Sequence, residues 1–274
     1  MYSISELWVY PIKSLGGIAL LEANVHIRGL QYDRRWMLVD EQGRFVTQRD
    51  IPTMALLRTA LNETHLLVFS VGNPLEVLRI PLSPPLEELE RVMVEVWGDR
   101  CAAKAFKGAI NAWFSHILGQ NIRLVLMPES TRRHADGRYA PKGQYVSFAD
   151  GFPFLLAGQA SLDDLNSRLV QPLPMNRFRP NFVFTGGTPF EEDTWANFSV
   201  GDQLFRAVKP CARCMVITTN QDTAERGVEP LKTLSTYRKF GNKIRFGQNT
   251  VWLGNGDATI RVGDVLQPVY EHPV

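Results

Sequence analysis

Two of the three cysteines in this 274-residue chain lie together in the run Lys209-Pro210-Cys211-Ala212-Arg213-Cys214. A thiol set among cationic side chains is held as the thiolate, the form that attacks electrophiles and ligates soft metals. Lys209 and Arg213 carry that charge in the sequence, which makes Cys214 or Cys211 the leading candidate for chemistry. The pair alone leaves three readings open: half of a zinc site, a dithiol redox pair, or two structural thiols. Zinc would need more ligands, and only Cys101 remains, with no histidine at ligand spacing. A dithiol pair belongs in a βαβ unit, whereas residues 215–219 read as a strand.

Three further segments carry polar groups at strand ends. Arg177-Phe178-Arg179-Pro180-Asn181 sets two guanidinium groups and an amide at a strand entrance, a pattern that suits phosphate or another planar anion. Tyr10-Pro11-Ile12-Lys13-Ser14 ends the first strand with an ammonium and a hydroxyl, and Gly16-Gly17 lets backbone approach closely. Asp33-Arg34-Arg35-Trp36 enters another strand. Cations, an amide, hydroxyls and one activated thiol are what is needed to hold a phosphate-bearing organic cofactor beside a thiolate-bound metal.

These groups must be positioned by sheets. Short apolar or alternating runs at 7–10, 19–27, 36–39, 45–48, 66–71, 75–80 and 92–97 predict strands in the first hundred residues. Phe106, Ile110, Trp113, Phe114 and Ile117 then recur at helical spacing, with Gly119 to close the helix. Ser161 is placed to cap a second helix, with Asp163 and Asp164 in its first turn, and 230–240 predicts a third. Strands at 122–127, 181–185, 203–208 and near the C-terminus complete the pattern. The expected fold is mainly β with a few helices (α+β), built as two barrel-like sheets with a junction near residue 115. The matching Val200-Gly201-Asp202 and Val262-Gly263-Asp264 are each expected to turn the chain into a strand.

Composition narrows the class. Hydrophobic residues make up 45% and charged residues 21%, as in a soluble globular protein, and a net charge of +2 gives no case for nucleic acid. No run of 18 apolar residues predicts a membrane segment, and no secretory signal opens the chain. An odd cysteine count does not suit a disulfide framework, so a cytoplasmic location is expected. Five tryptophans, Trp8, Trp97, Trp113, Trp195 and Trp252, read as packing residues, Cys101 as a small buried hydrophobe, and Arg132-Arg133-His134 as a solvated basic loop.

In order and spacing the segments resemble the MOSC family, named after the C-terminal domain of molybdenum cofactor sulfurase. The resemblance is to the branch with an added N-terminal β-barrel, to which the amidoxime-reducing proteins belong. It rests on Tyr10-Pro11-Ile12-Lys13-Ser14, Asp33-Arg34-Arg35-Trp36, Thr47-Gln48-Arg49, Ser161-Leu162-Asp163-Asp164-Leu165-Asn166, Phe178-Arg179-Pro180-Asn181 and Cys211-Ala212-Arg213-Cys214. It implies an N-terminal barrel over 1–115 and a MOSC domain over 116–274. It implies the molybdenum cofactor, not pyridoxal phosphate, with Cys214 as the protein's metal ligand and a pterin dithiolene supplying further sulfur. Lys13, Ser14 and Arg34 would hold the pterin and its phosphate from one domain, and Arg179 and Asn181 from the other. Asp150 matches an acidic position near the metal, where it would orient substrate or handle a proton, or serve only as a turn residue. Thr218 would contact the cofactor, whereas Ile217 replaces a threonine frequent in the family, and Gly151 is smaller than some relatives' hydroxyl residue.

The implied activity is reduction of N-hydroxylated compounds: amidoximes, hydroxylamines and N-hydroxylated base analogues. Electrons would come from a separate flavin, iron–sulfur or haem protein, since the chain has no iron–sulfur motif of its own. Two alternatives stand beside it: a cysteine-persulfide sulfur carrier using Cys214, and a protein that binds the cofactor without catalysis.

Overall fold

The computed structural model describes residues 1–269. Its first strand, Tyr2–Val9, buries Ile4, Leu7 and Val9, and a bulge between Ile4 and Glu6 keeps Ile4 and Leu7 on one face although they are three apart. That strand begins a closed ring of seven. The order runs Tyr2–Val9, Val265–Val269, Asn197–Val200, Gln203–Ala212, Lys243–Trp252, Phe154–Gly158, Phe182–Thr185 and back. All neighbours are antiparallel except Phe154–Gly158 beside Phe182–Thr185. Closure removes the exposed edges, and Ile4, Leu7, Phe154, Phe182, Phe184, Phe198, Phe205 and Trp252 fill the interior.

Residues 31–127, joined by Ile12 and Leu15, build a second core. One sheet orders the strands Trp36–Val39, Arg123–Leu126, Asp99–Ala105 and Glu90–Val96; another orders Leu57–Leu61, His65–Ser70 and Asn73–Pro81. Trp36–Val39 is buried on both faces. Trp36 and Leu38 meet the core that α1 (Ala109–Leu118) caps with Phe114, while Met37 and Val39 meet Phe148 from the other half. The expected junction at 115 falls inside α1, and Arg123–Leu126 beyond it completes this sheet. In the other direction, Tyr2–Val9 serves the barrel and Glu22–His26 pairs with Ala258–Arg261. The chain therefore crosses between the two cores more than once.

The mainly β architecture with a few helices is as expected, and several local expectations are corrected. Gly119 does end α1, in left-handed backbone at φ 70°. Residues 45–48 form no strand: Phe45 makes a single bridge to Val39, and Thr47 turns the chain by accepting from Arg49 N while Asp50 bonds back to it. Ser161 does not cap α2 (Gln159–Asn166). The barrel strand Phe154–Gly158 runs straight into that helix, and the Ser161 hydroxyl donates to the buried Glu192 carboxyl. Asp163 and Asp164 accordingly lie past the first turn. The third helix, α3, is the shorter Leu231–Tyr237, and Met215–Thr218 is a 3-10 turn, not a strand. Among the described residues no helix is long and apolar enough to cross a membrane.

Candidate functional site

The two halves meet at a cleft of about 160 Å³. Lys13, Ser14, Arg34 and Arg49 come to it from the N-terminal part of the chain, and Asp150, Arg179, Asn181, Cys211 and Cys214 from the C-terminal part. Seven of the eight residues singled out from sequence therefore come together. The exception is Thr218, which is buried, lies off the cleft lining and donates its hydroxyl to the Met215 carbonyl at 2.8 Å. Three of the seven adopt left-handed backbone: Ser14 at φ 69°, Arg34 at 48° and Arg179 at 56°. Such conformations are unfavourable for side-chain-bearing residues and persist where the surroundings over-determine them, typically at binding sites.

One wall is built on Tyr10 and Asp33. The Asp33 carboxylate is fully buried, accepts the Tyr10 N–H at 2.9 Å and pairs with Arg34 Nη1 at 2.6 Å. Burial pushes this carboxyl up from its ordinary value, against the pull of Arg34. The Tyr10 ring has the guanidinium carbons of both Arg34 and Arg179 4.3 Å from its centroid. Its hydroxyl, pushed up to about 12 by burial, donates to the Pro180 carbonyl. Gly17 lies against this ring, with a Cβ there falling 2.4 Å from it, so the close approach expected at Gly16-Gly17 is to Tyr10. Asn181 is fully engaged. Its Oδ1 accepts from Arg34 Nη1 and the Leu155 N–H, and its Nδ2 donates to the Trp8 carbonyl, so it positions Arg34. Arg179 differs. Among the described residues its guanidinium has no carboxylate or hydrogen-bond partner, and burial lowers it only to about 10, so it faces the cleft as a cation.

The opposite wall carries the other sign. Asp150 stands 72% exposed in the cleft mouth, and its Oδ1 accepts from both Lys13 Nζ and Trp97 Nε1, the latter at 2.9 Å. Lys13 is buried and also donates to the Phe148 carbonyl at 2.9 Å. Burial lowers Lys13, and Asp150 opposes that shift. For Asp150 the surrounding protein acts to raise the carboxyl, but Lys13 and Trp97 win and hold it well below the usual carboxylate range. Arg133 braces the loop from below. It donates to the carbonyls of Ser147, Ala149 and Asp150 at 2.9, 2.6 and 2.9 Å and pairs with Asp99 at 2.9 Å.

The cysteine segment closes the floor. Cys214 is free and exposed at the head of the Met215–Thr218 turn. The cations expected beside it serve other groups: Arg213 Nη1 donates to Cys211 Sγ at 2.9 Å, and the Lys209 ammonium sits 4.2 Å from the Tyr139 ring. Ile217 packs with Phe178 and Phe246, and its carbonyl accepts from Arg177 Nε. Among the described residues no cluster of three His, Cys, Asp or Glu could hold a metal alone. A metal here would take one protein thiolate and bring its remaining ligands with it. The cleft fits a group that does so and carries a phosphate. Besides Arg179, the Ser14 hydroxyl has no partner among the described residues, and Arg213 Nε is buried without one.

Two residues at the site escaped sequence reasoning. Trp97 was expected to be packing, yet it is 48% exposed, sits at φ 55° and holds Asp150, with the Arg49 guanidinium 4.1 Å from its ring. Arg133 was expected to be solvated and is buried. Nothing in a basic run tells which arginine turns inward; the Trp97-Gly98 turn was the one available signal, because a bulky residue in a tight turn is unusual.

The chain matches the MOSC N-terminal beta barrel domain over residues 1–121 and the MOSC domain over 143–267. It is 34% identical to mitochondrial amidoxime-reducing component 1 of Mus musculus, over 98% of this chain and 82% of that one. The Homo sapiens protein of that name is 32% identical with the same coverage. Molybdenum cofactor sulfurase of Oryza sativa is 31% identical over 89% of this chain, which spans only 32% of that relative.

Proposed function

The chain belongs to the MOSC family, in the branch with the N-terminal beta barrel domain, and we propose that it is a molybdenum-cofactor-dependent reductase of N-hydroxylated compounds. The supporting observation is a single one: an exposed Cys214 opens into a cleft that also holds the Asp150 carboxylate and the Arg179 cation, which among the described residues has no hydrogen-bond partner. When bound there, the cofactor supplies two-electron redox chemistry able to take oxygen from an N–OH group, which no side chain provides.

The side chains do the rest. Cys214 is the one thiolate ligand. Arg179, Ser14 and Arg34 hold the phosphate and pterin, with Arg34 aimed by Asp33 and Asn181. Asp150, kept anionic by Lys13, meets the substrate. Electrons come from a separate flavin, iron–sulfur or haem protein in the cytoplasm.

The test is molybdenum content per chain, by elemental mass spectrometry, for wild type and Cys214→Ser made in a host that synthesises the cofactor. Near-stoichiometric metal in wild type, its loss in the variant, and loss of viologen-driven benzamidoxime reduction are expected. Full turnover by Cys214→Ser would sink the ligand assignment. Metal-free wild type carrying a trappable persulfide would favour the sulfur-carrier reading.

A further inference from the structure

The cations of this chain are unevenly spread. Residues 230–256 hold five lysines and arginines and no aspartate or glutamate, and residues 203–221 hold three and none, in a chain whose net charge is only +2. The two stretches are neighbours in the barrel: Gln203–Ala212 pairs with Lys243–Trp252, which in turn pairs with Lys239–Phe240. Ala212 lies opposite Arg245, the Arg245 N–H donates to the Arg238 carbonyl, and Phe240 lies opposite Lys243. By that register Ala212, Arg238, Phe240, Lys243 and Arg245 share one face. The guanidinium carbons of Arg245 and Arg238 accordingly sit 4.4 and 5.4 Å from the centroid of the Phe240 ring. Arg238 has Asp193 as its counter-ion. Lys239, Lys243 and Arg245 have none among the described residues, and Lys239, Phe240 and Lys243 are exposed. The Arg213 N–H donates to the Ile244 carbonyl at 2.8 Å, so Cys214 follows one residue beyond the last bond of this sheet, and both it and Met215 are exposed. Lys239, Lys243 and Arg245 take no part in lining the cleft.

Like charges held together without counter-ions attract an oppositely charged surface and steer its approach. The Phe240 ring lies against guanidinium groups rather than standing free to enter hydrocarbon, so the face fits carboxylates on a protein better than a lipid surface. We propose that the face made by Phe240, Lys243 and Arg245, flanked by Lys239, docks the electron-donor protein through an acidic surface on that protein. The donor then sits beside Cys214 and leaves the cleft lining to cofactor and substrate. This rests on the reductase reading and adds to it the place and the charge of the partner.

The experiment titrates a plant-type ferredoxin, a small acidic iron–sulfur protein, into cofactor-loaded protein by calorimetry at low and high ionic strength. Wild type is expected to bind at low ionic strength and to weaken as salt rises. Lys239→Glu/Lys243→Glu reverses two exposed charges and should cost about tenfold or more in affinity. Phe240→Ala removes the ring between the arginines and should cost severalfold. Arg79→Glu/Lys107→Glu makes the same change in net charge at exposed positions of the other half, and should bind as wild type does. Ferredoxin-driven turnover of benzamidoxime should need about tenfold more ferredoxin in Lys239→Glu/Lys243→Glu, while viologen-driven turnover, which needs no docking, is unchanged. No binding by wild type, equal losses in the two charge-reversed pairs, or ferredoxin-driven turnover indifferent to Lys239→Glu/Lys243→Glu overturns the docking face. Wild type that binds phosphatidylserine vesicles and not ferredoxin overturns it in favour of a lipid surface. If the binding results hold but viologen-driven reduction fails in wild type, the reductase reading falls and the face stands as a site for an acidic protein.

Discussion

The two walls of the cleft are built from the same parts in opposite arrangement. On the Tyr10 wall the carboxylate of Asp33 is buried, and its partner Arg34 reaches the cleft. On the opposite wall the cation of Lys13 is buried, and its partner Asp150 stands exposed. In each pair the hidden ion fixes the direction and charge of the visible one. A side chain that must present a charge at a set place is better anchored by a buried counter-ion than left to solvent, where exposed pairs hold little.

Removing each hidden ion is the strongest way to break the comparison. Asp33→Ala strips the acceptor from the buried Tyr10 N–H and from Arg34, which a protonated carboxyl would still supply, and a loss of about 3 kcal/mol in urea unfolding is expected. Lys13→Met lets Asp150 return to water, so about 1 kcal/mol or less is expected. Equal losses would show that the walls are not arranged differently after all.

Arg133 sharpens the contrast, because it anchors the Asp150 wall through backbone. Arg133→Ala strips a donor from three carbonyls, for about 2 kcal/mol, and should speed amide exchange across 147–150 while sparing the Tyr10 wall. Uniform exchange on both walls would contradict a local brace.

The smallest effect lies in acid, and its sign differs between walls. The Asp150 carboxyl is held low, so its stabilisation is complete above its unfolded value of about 4 and is lost as pH falls through the lower folded value. The Asp33 carboxyl is raised, so its destabilisation is present above the raised value and is relieved on acidification. Carboxyl-carbon NMR should show Asp33 taking its proton first; the reverse order would end the argument.

The strands were legible where short apolar runs are unbroken, as at 36–39, and α1 through the apolar spacing from Phe106 to Ile117 and its glycine stop. They were not legible where side chains override local pattern. Residues 215–219 are apolar and β-branched, yet Ile217 must point into the cluster around Phe246 while Cys214 points out, and a 3-10 turn does both. The members of the site could be read as residue types at strand ends. Their division into anchors and presented groups could not, because the buried partner of Asp150 lies far away in sequence at Lys13, and Asn181 and Arg133 reveal their work only through the carbonyls they meet.

The pairing of Tyr2 with Leu266 sets an order of events during synthesis. As the chain leaves the ribosome, its first strand can pair with Phe182–Thr185 before the ring closes, and closure waits until the strand Val265–Val269 has been made. Residues 31–127 can collapse around Trp36 and Phe114 in the meantime. The cleft, which needs Lys13 from early in the chain and Cys214 from far beyond it, is thus assembled after that first core, and a cofactor meets it only once both have been made.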